Sequence, residues 1–400
     1  MDQQFFSSAL QQIKDEGRYR FFTSIERLAG DFPKASLHSN GSTKEVVVWC
    51  SNDYLGMGQN PKVIEAMQNA LKHGAGTGGT RNISGNSPLH LNLEKKLAEF
   101  HGKESALVFS SGYVANQTVL STLGKLIPNV VIFSDALNHA SMIEGIAQSG
   151  AEKKIFKHND PDDLERLLAL YPIDRPKLVV FESVYSMEGD IAPIKELCEV
   201  ASFYGAMTYV DEVHGLGLYG PKGAGVIDER GLASQVDIIQ GNFGKTVGLM
   251  GGYIAANADI VDFIRSFASG FIFTTSLPPV LLAGALESLE QIELAHELRM
   301  IHRERVHTLK NKLSDAQIPF LDAESHIVPV MVGDAVRCKH ASDLLLDLGI
   351  YVQPINFPTV ARGTERLRIT PTPHHTNEMI DHLVDSLCQV WSELSLRLAA

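Results

Sequence analysis

Short runs of β-branched and aliphatic residues recur through the middle of the chain between segments of helical spacing: VVIFSD near 130–135, KLVVFES at 177–183, AMTYVDE at 206–212, DIIQG at 237–241 and GGYIAA at 251–256. Within each run the hydrophobicity is continuous rather than alternating, so both faces of the strand must be covered. The pattern predicts an α/β fold with a mostly parallel central sheet sandwiched by helices. In such a sheet ligands bind at the carboxyl ends of the strands, and the polar residues there become the first candidates for a site.

With 400 residues the chain exceeds what one core usually serves, and three regions are distinguishable. Residues 1–50 read as an N-terminal arm, a helix over 5–16 followed by the strand-like KEVVVWC, too small to fold alone. Residues 51–290 form the large domain, and 291–400 a smaller α+β domain. The latter closes on IDHLVDSLCQVWSEL, where Ile380, Leu383, Val384, Leu387, Val390, Trp391 and Leu394 make one helical stripe, read as core.

Composition excludes several classes of function. A net charge of −12 without any Lys/Arg-rich block argues against a nucleic-acid partner. No apolar run approaches the ~20 residues of a membrane span, and the N-terminus has neither secretory nor transit character, so the expectation is a cytoplasmic protein without membrane contact. Cys50, Cys198, Cys338 and Cys388 stand far apart with no C-x-x-C pair, which suits neither a disulfide framework nor a zinc site; buried or half-buried thiols are expected.

Lys245 in QVDIIQGNFGKTVGLMGGYIA follows a buried strand and is surrounded by Gly241, Gly244, Gly248, Gly251 and Gly252. Glycines allow close backbone approach by a ligand, and a partly desolvated lysine in such a turn is a candidate Schiff-base amine. A surface lysine on a glycine-rich turn is the plainer alternative. Asp211 ends the run AMTYVD and is followed by His214 in D-E-V-H-G. A buried carboxylate at a strand end can keep a pyridine nitrogen protonated, and the histidine is within range of a phenolic oxygen on the same ring. A helix cap or a metal pair are the alternatives, the latter weak because D-x-x-H brings no third ligand; no metal is expected.

F-S-S-G-Y-V-A-N at 109–116 places small hydroxyl residues and a glycine at a loop-to-helix junction, where Ser111, Gly112 and Tyr113 can hold a phosphate on backbone N–H groups. As a plain helix cap the segment is unremarkable. G-A-G-T-G-G-T at 74–80 formally contains G-x-G-x-x-G, but it follows a helical pattern and no helix directly succeeds it, so a dinucleotide site is not expected. His139 stands just after VVIFS, where an imidazole can stack on an aromatic cofactor or serve a structural role. Arg368 suits an amino-acid carboxylate or a surface ion pair.

Together these segments resemble the α-oxoamine synthases, a fold-type I family of pyridoxal-phosphate transferases. The resemblance runs from E-G-R-Y-R at 16–20 to R-L-R-I-T-P-T-P at 366–373, through S-N-D-Y-L-G-M at 51–57, G-G-T-R-N-I-S-G at 78–85, L-N-H-A-S-M-I-E-G ending at Gly145, F-E-S-V-Y-S-M-E-G-D at 181–190 and S-H-I-V-P-V at 325–330. It implies pyridoxal 5′-phosphate as cofactor, with Lys245 as its lysine and proton shuttle, Asp211 on the pyridine nitrogen, His214 on the phenolic oxygen, His139 stacked on the ring, and Ser186 as a further contact. It implies a homodimer with shared active sites, in which Thr274 and Thr275 of F-I-F-T-T-S reach the neighbouring subunit's phosphate. The branch of the family that joins glycine to succinyl-CoA is the one matched. There Arg20 meets the succinyl carboxylate beside Thr80 and Asn82, Ser134 and Lys153 touch the acyl-CoA, Thr359 completes the pattern, and Asn52 and Arg368 frame glycine.

One residue departs from the family pattern. Asn242 stands in G-N-F-G-K where relatives carry threonine, as in G-T-L-A-K; an amide still donates to a phosphate oxygen but is bulkier than a hydroxyl. Two alternatives follow: a sister enzyme using another acyl-CoA or another small amino acid, and a catalytically inactive protein that binds the cofactor.

Overall fold

The computed structural model describes residues 3–39 and 41–399. They fall into two compact units: one made of residues up to Gln59, Ser186–Asp190 and the residues from Glu297 onward, the other of Asn60–Tyr185 and Ile191–His296.

In the first unit, strands β1 (Ser24–Glu26), β2 (Lys34–Ser39) and β3 (Ser42–Val48) form an antiparallel ribbon. In the second, seven strands make one sheet: β4 (Ser105–Phe109), β5 (Val131–Asp135), β6 (Glu152–Phe156), β7 (Lys177–Glu182), β8 (Met207–Asp211), β9 (Ile238–Asn242) and β10 (Gly252–Ala256), in the order β4-β10-β9-β8-β7-β5-β6. Every neighbouring pair from β9 to β6 is parallel, and β10 alone runs against both its neighbours.

The sheet is covered on both faces, as the continuous runs require. On one face Leu107, Ile132, Leu178, Val180, Tyr209 and Ile254 pack with Ala115, Val119 and Leu123 of helix Gly112–Leu126 and Met142 and Ile146 of helix Ala140–Ser149. The residues between them, Val131, Phe133, Val179, Phe181, Val210 and Ile239, point the other way and are equally buried. Helices Pro161–Leu168 and Ile194–Phe203 lie against β6 and β8 on that side. Each such side chain contributes about 1.5–3 kcal/mol of hydrophobic stabilisation.

The remaining strands, β11 (Val328–Met331), β12 (Ile350–Tyr351), β13 (Pro354–Ile355) and β14 (Arg366–Ile369), belong to the first unit. β11, β14 and β13 form a small antiparallel sheet, while β12 joins β3 in parallel. The first fifty residues thereby acquire a core: Trp49 packs with Leu313, Val330, Ile369, Leu387 and Trp391. The C-terminal stripe is buried as far as Trp391 on helix Asn377–Glu393, with Leu394 half-buried beyond its end.

All four thiols are free; Cys198 and Cys338 are buried and Cys50 half-buried, but Cys388 is exposed, contrary to the sequence expectation. It lies on the solvent side of the amphipathic C-terminal helix, next to the core residue Leu387. No helix among the described residues is long and apolar enough to cross a membrane.

Candidate active site

Three consecutive parallel strands end on polar residues: β7 on Glu182, β8 on Asp211 and β9 on Asn242. Because β10 is antiparallel to both β9 and β4, β4 runs in the same sense as β9 and delivers Ser111 to the same edge; Gly252 pairs with Phe109 on one side and Asn242 on the other. The result is a cavity of about 390 Å³ lined by Ser111, Gly112, Tyr113, His139, Asp211, His214, Asn242 and Lys245, together with Asn116, Glu182 and Gln240.

Ser111 caps the helix Gly112–Leu126, its Oγ accepting from the Val114 N–H at 3.1 Å. The N–H groups of Gly112 and Tyr113 have no carbonyl within their own helix to bond, and they head a fifteen-residue helix whose dipole favours an anion. Backbone is packed tightly here. A Cβ on Gly252 would lie 2.4 Å from the Gly112 nitrogen, and one on Gly112 would lie 2.6 Å from Asn242 Cβ. Gly252→Ala is accordingly expected to lower stability by about 1–3 kcal/mol, readable as a lower denaturant midpoint without cofactor.

Asp211 is buried, with Oδ2 accepting from Asn116 Nδ2 at 2.8 Å and Oδ1 from the Val213 N–H at 2.9 Å. Burial raises its pKa; the two donors, His139 and Lys245 pull the other way. Asn116 also donates to Ser141 Oγ at 3.0 Å, and its own Oδ1 accepts from Tyr209 OH at 2.7 Å, which fixes the orientation of the amide. Ser141 Oγ lies 2.7 Å from His139 Nδ1, and the backbone N–H of His139 donates to Glu182 Oε1 at 2.6 Å. Burial lowers the pKa of His139, with Lys245 acting the same way and Asp211 opposing. Nδ1 accepts from the Ser141 N–H at 3.2 Å, which leaves that nitrogen without a proton and the ring neutral. Lys245 is half-buried on the turn after β9, its carbonyl accepting from the Gly248 N–H at 2.8 Å.

These residues fit pyridoxal phosphate. The buried carboxylate suits a protonated ring nitrogen, the helix N-terminus suits a phosphate, and a lysine faces the same cavity. The buried Oδ1 of Asn242 and Oε1 of Gln240 have no hydrogen-bond partner among the described residues, so the cavity wall retains unmet polar atoms.

The first unit holds a second group. Arg368 on β14 is buried and donates from Nε to the Ser186 carbonyl at 2.6 Å, from Nη1 to Asn52 Oδ1 at 2.9 Å and from Nη2 to Tyr54 OH at 2.9 Å. All three acceptors are neutral, and among the described residues Arg368 makes no ion pair. One N–H remains on each terminal nitrogen. Arg20 is exposed and donates to Thr359 Oγ1 at 3.2 Å, likewise without an ion pair among the described residues.

Thr80, Asn82 and Thr275 come together in the second unit. Thr80 Oγ1 donates to Asn82 Oδ1 at 2.7 Å, and Thr80 faces Thr275 across an antiparallel bridge. Thr274 donates to the Gly270 carbonyl. Ser134 is buried in β5, accepting from Asn138 at 2.9 Å, and Lys153 is exposed on the edge strand β6; neither lines the cavity. Asn116, Glu182, Gln240 and Tyr54 were not singled out from sequence. All four fall within segments quoted above, Asn116 in F-S-S-G-Y-V-A-N, Gln240 in DIIQG, Tyr54 in S-N-D-Y-L-G-M and Glu182 in F-E-S-V-Y-S, and that membership is the available signal. No group of three His, Cys, Asp or Glu among the described residues is arranged to hold a metal ion.

The profile of the aminotransferase class I and II family matches residues 44–387, and the chain belongs to this family of pyridoxal-phosphate enzymes; its cofactor is pyridoxal 5′-phosphate. Among solved structures, a serine palmitoyltransferase from S. paucimobilis with bound PLP and myriocin superposes with a TM-score of 0.90 at 35% identity over 98% of both chains. Its curated relatives narrow the branch to the 5-aminolevulinate synthases. The chain is 57% identical over 394 residues to 5-aminolevulinate synthase of Rhizobium meliloti (strain 1021), covering 98% of each. It is 57% identical over 395 residues to 5-aminolevulinate synthase 1 of Cereibacter sphaeroides (98% of this chain, 97% of the relative) and 50% identical over 401 residues to the erythroid-specific mitochondrial enzyme of Bos taurus (99% and 68%).

Proposed function

We propose that this chain condenses glycine with succinyl-CoA to give 5-aminolevulinate, CoA and carbon dioxide, the opening step of tetrapyrrole synthesis. The observation that carries the substrate reading is Arg368: a buried guanidinium whose protein partners are all neutral is costly unless an anion arrives, and two N–H groups remain to meet the glycine carboxylate. Asn52 and Tyr54 hold that fork in place.

When bound, pyridoxal phosphate supplies an electron sink for the charge left at the glycine Cα. Lys245 Nζ anchors it and moves the proton from and back to that carbon. Asp211 keeps the pyridine nitrogen protonated, His214 meets the phenolic oxygen, and the neutral His139 ring covers the cofactor face. Ser111, Gly112, Tyr113 and Asn242 hold the phosphate, with Ser186 a further contact. Thr274 and Thr275 serve the neighbouring subunit's phosphate in a homodimer. For the acyl substrate, Arg20 binds the succinyl carboxylate with Thr80, Asn82 and Thr359, and Ser134 and Lys153 contact the CoA portion.

Turnover of glycine with succinyl-, acetyl- and longer acyl-CoAs, with products identified by mass, tests the proposal. Product from succinyl-CoA alone, or in large excess, is expected; preference for an acyl chain without a terminal carboxylate would transfer the chain to a sister reaction. Arg20→Ala is expected to raise the KM for succinyl-CoA roughly tenfold or more while changing that for glycine little, since one charge-assisted contact accounts for about 1.5–3 kcal/mol.

A further inference from the structure

Glu16 directly follows the first helix, Gln3–Asp15, and the chain reverses after it. Gly17 adopts φ +68°, the Arg18 N–H returns to the Ile13 carbonyl at 2.9 Å and the Gly17 N–H to the Lys14 carbonyl at 3.0 Å, a Schellman cap. This reversal directs Arg18 and Arg20 toward the loop Asn356–Arg362, in the same unit. Glu16 Oε2 accepts from Arg18 Nε at 2.7 Å and from Arg362 Nη2 at 2.8 Å, while Oε1 accepts from Gln12 at 2.9 Å. The Phe357 ring carries both guanidiniums, Arg18 at 5.2 Å and Arg362 at 5.1 Å from its centroid. Asn356 Nδ2 reaches the Gly17 carbonyl at 3.3 Å.

Two arginines, Arg18 and Arg362, therefore share the Glu16 carboxylate. Arg20 is tethered to the same loop through the Thr359 hydroxyl and makes no ion pair among the described residues. A lone exposed Glu–Arg pair contributes little, but a carboxylate shared by two guanidiniums that both pack against one aromatic ring joins two chain segments at several points.

We infer that Glu16, with Phe357 and Arg362, is a specificity-determining positioning cluster: it fixes the Arg20 segment against the Thr359 loop, so that Arg20 presents its uncompensated charge to the terminal carboxylate of the acyl substrate. The inference rests on the reading of Arg20 given above. None of the three residues touches the reacting atoms.

The test compares succinyl-CoA with butyryl-CoA, of equal chain length but without the carboxylate, as kcat/KM ratios on the cofactor-loaded enzyme, and measures succinyl-CoA binding by calorimetry. Glu16→Gln is expected to lower the succinyl-to-butyryl ratio roughly 3- to 10-fold through the succinyl KM, to weaken succinyl-CoA binding by a like factor, and to leave the glycine KM and melting temperature nearly unchanged. Arg362→Lys, which keeps the charge, is expected to retain most of the ratio, and Phe357→Leu to lower it even if Glu16→Gln folds poorly. If Arg20→Ala lowers the ratio while Glu16→Gln and Phe357→Leu do not, the cluster is refuted and the substrate reading stands. If Arg20→Ala leaves the ratio intact, both fall. A loss in kcat alone, equal for both acyl chains, would also overturn the cluster.

Discussion

Replacing Lys245 by alanine is expected to abolish the visible absorbance of the cofactor-loaded enzyme and to lower turnover by about 10²–10⁴-fold or more. In the mechanism proposed above two functions would be lost together, the covalent anchor and the base that moves the α-proton. The fold should survive, because the turn is held through backbone: the Gly248 N–H on the Lys245 carbonyl and the Leu249 N–H on the Phe243 carbonyl, at 2.8 and 2.7 Å. Absorbance spectra of the loaded protein and melting curves of the cofactor-free protein separate the two effects. A Lys245→Ala variant that kept the visible band would place the anchor on another amine.

That lysine was legible in the sequence because it follows a continuous apolar run and sits among glycines, and β5, β7, β8 and β9 were legible by the same continuity. The sense of β10 was not, since an apolar run carries no direction; yet its antiparallel course brings Ser111 beside Asn242. β6 reads EKKIF and was missed because an edge strand exposes charged residues where inner strands cannot. β4 was missed because its five residues lie between a helix and the serine-glycine segment that drew the functional reading. Strand-end polar residues announce themselves by position. Asn116 does not: an asparagine within a helix gains meaning only from Asp211, 95 residues away, just as Arg368 gains it from Asn52 across 316.

The departure at Asn242 also changes meaning once placed. Its Cβ is held against the Gly112 backbone, so the larger side chain is accommodated by the absence of a side chain opposite it. Its buried Oδ1 has no hydrogen-bond partner among the described residues, which leaves an acceptor on the cavity wall for a ligand to meet.

The second large effect is expected at Asp211. Burial raises the pKa of its carboxyl, and the donors Asn116 and Val213 and the nearby His139 and Lys245 offset that only in part. A carboxyl raised in the folded state contributes stability that is present at low pH and lost as pH rises through the folded pKa. Without cofactor, an ionised Asp211 is therefore a burden on the fold, and in the mechanism proposed above a protonated ring nitrogen beside it would relieve that burden. Asp211→Asn keeps the shape and removes the charge, although its amide nitrogen faces one of the two donors that the carboxylate accepts from. The variant is expected to lose the pH dependence that Asp211 gives to the stability of the cofactor-free protein, and to gain less in melting temperature on loading. Exchange of the glycine α-proton with deuterated solvent, followed by proton NMR, should fall about 10²–10³-fold, because the ring nitrogen loses the charge that keeps it protonated and with it most of the electron sink. An Asn variant that exchanged the proton at the wild-type rate would remove Asp211 from the mechanism, however well it bound the cofactor.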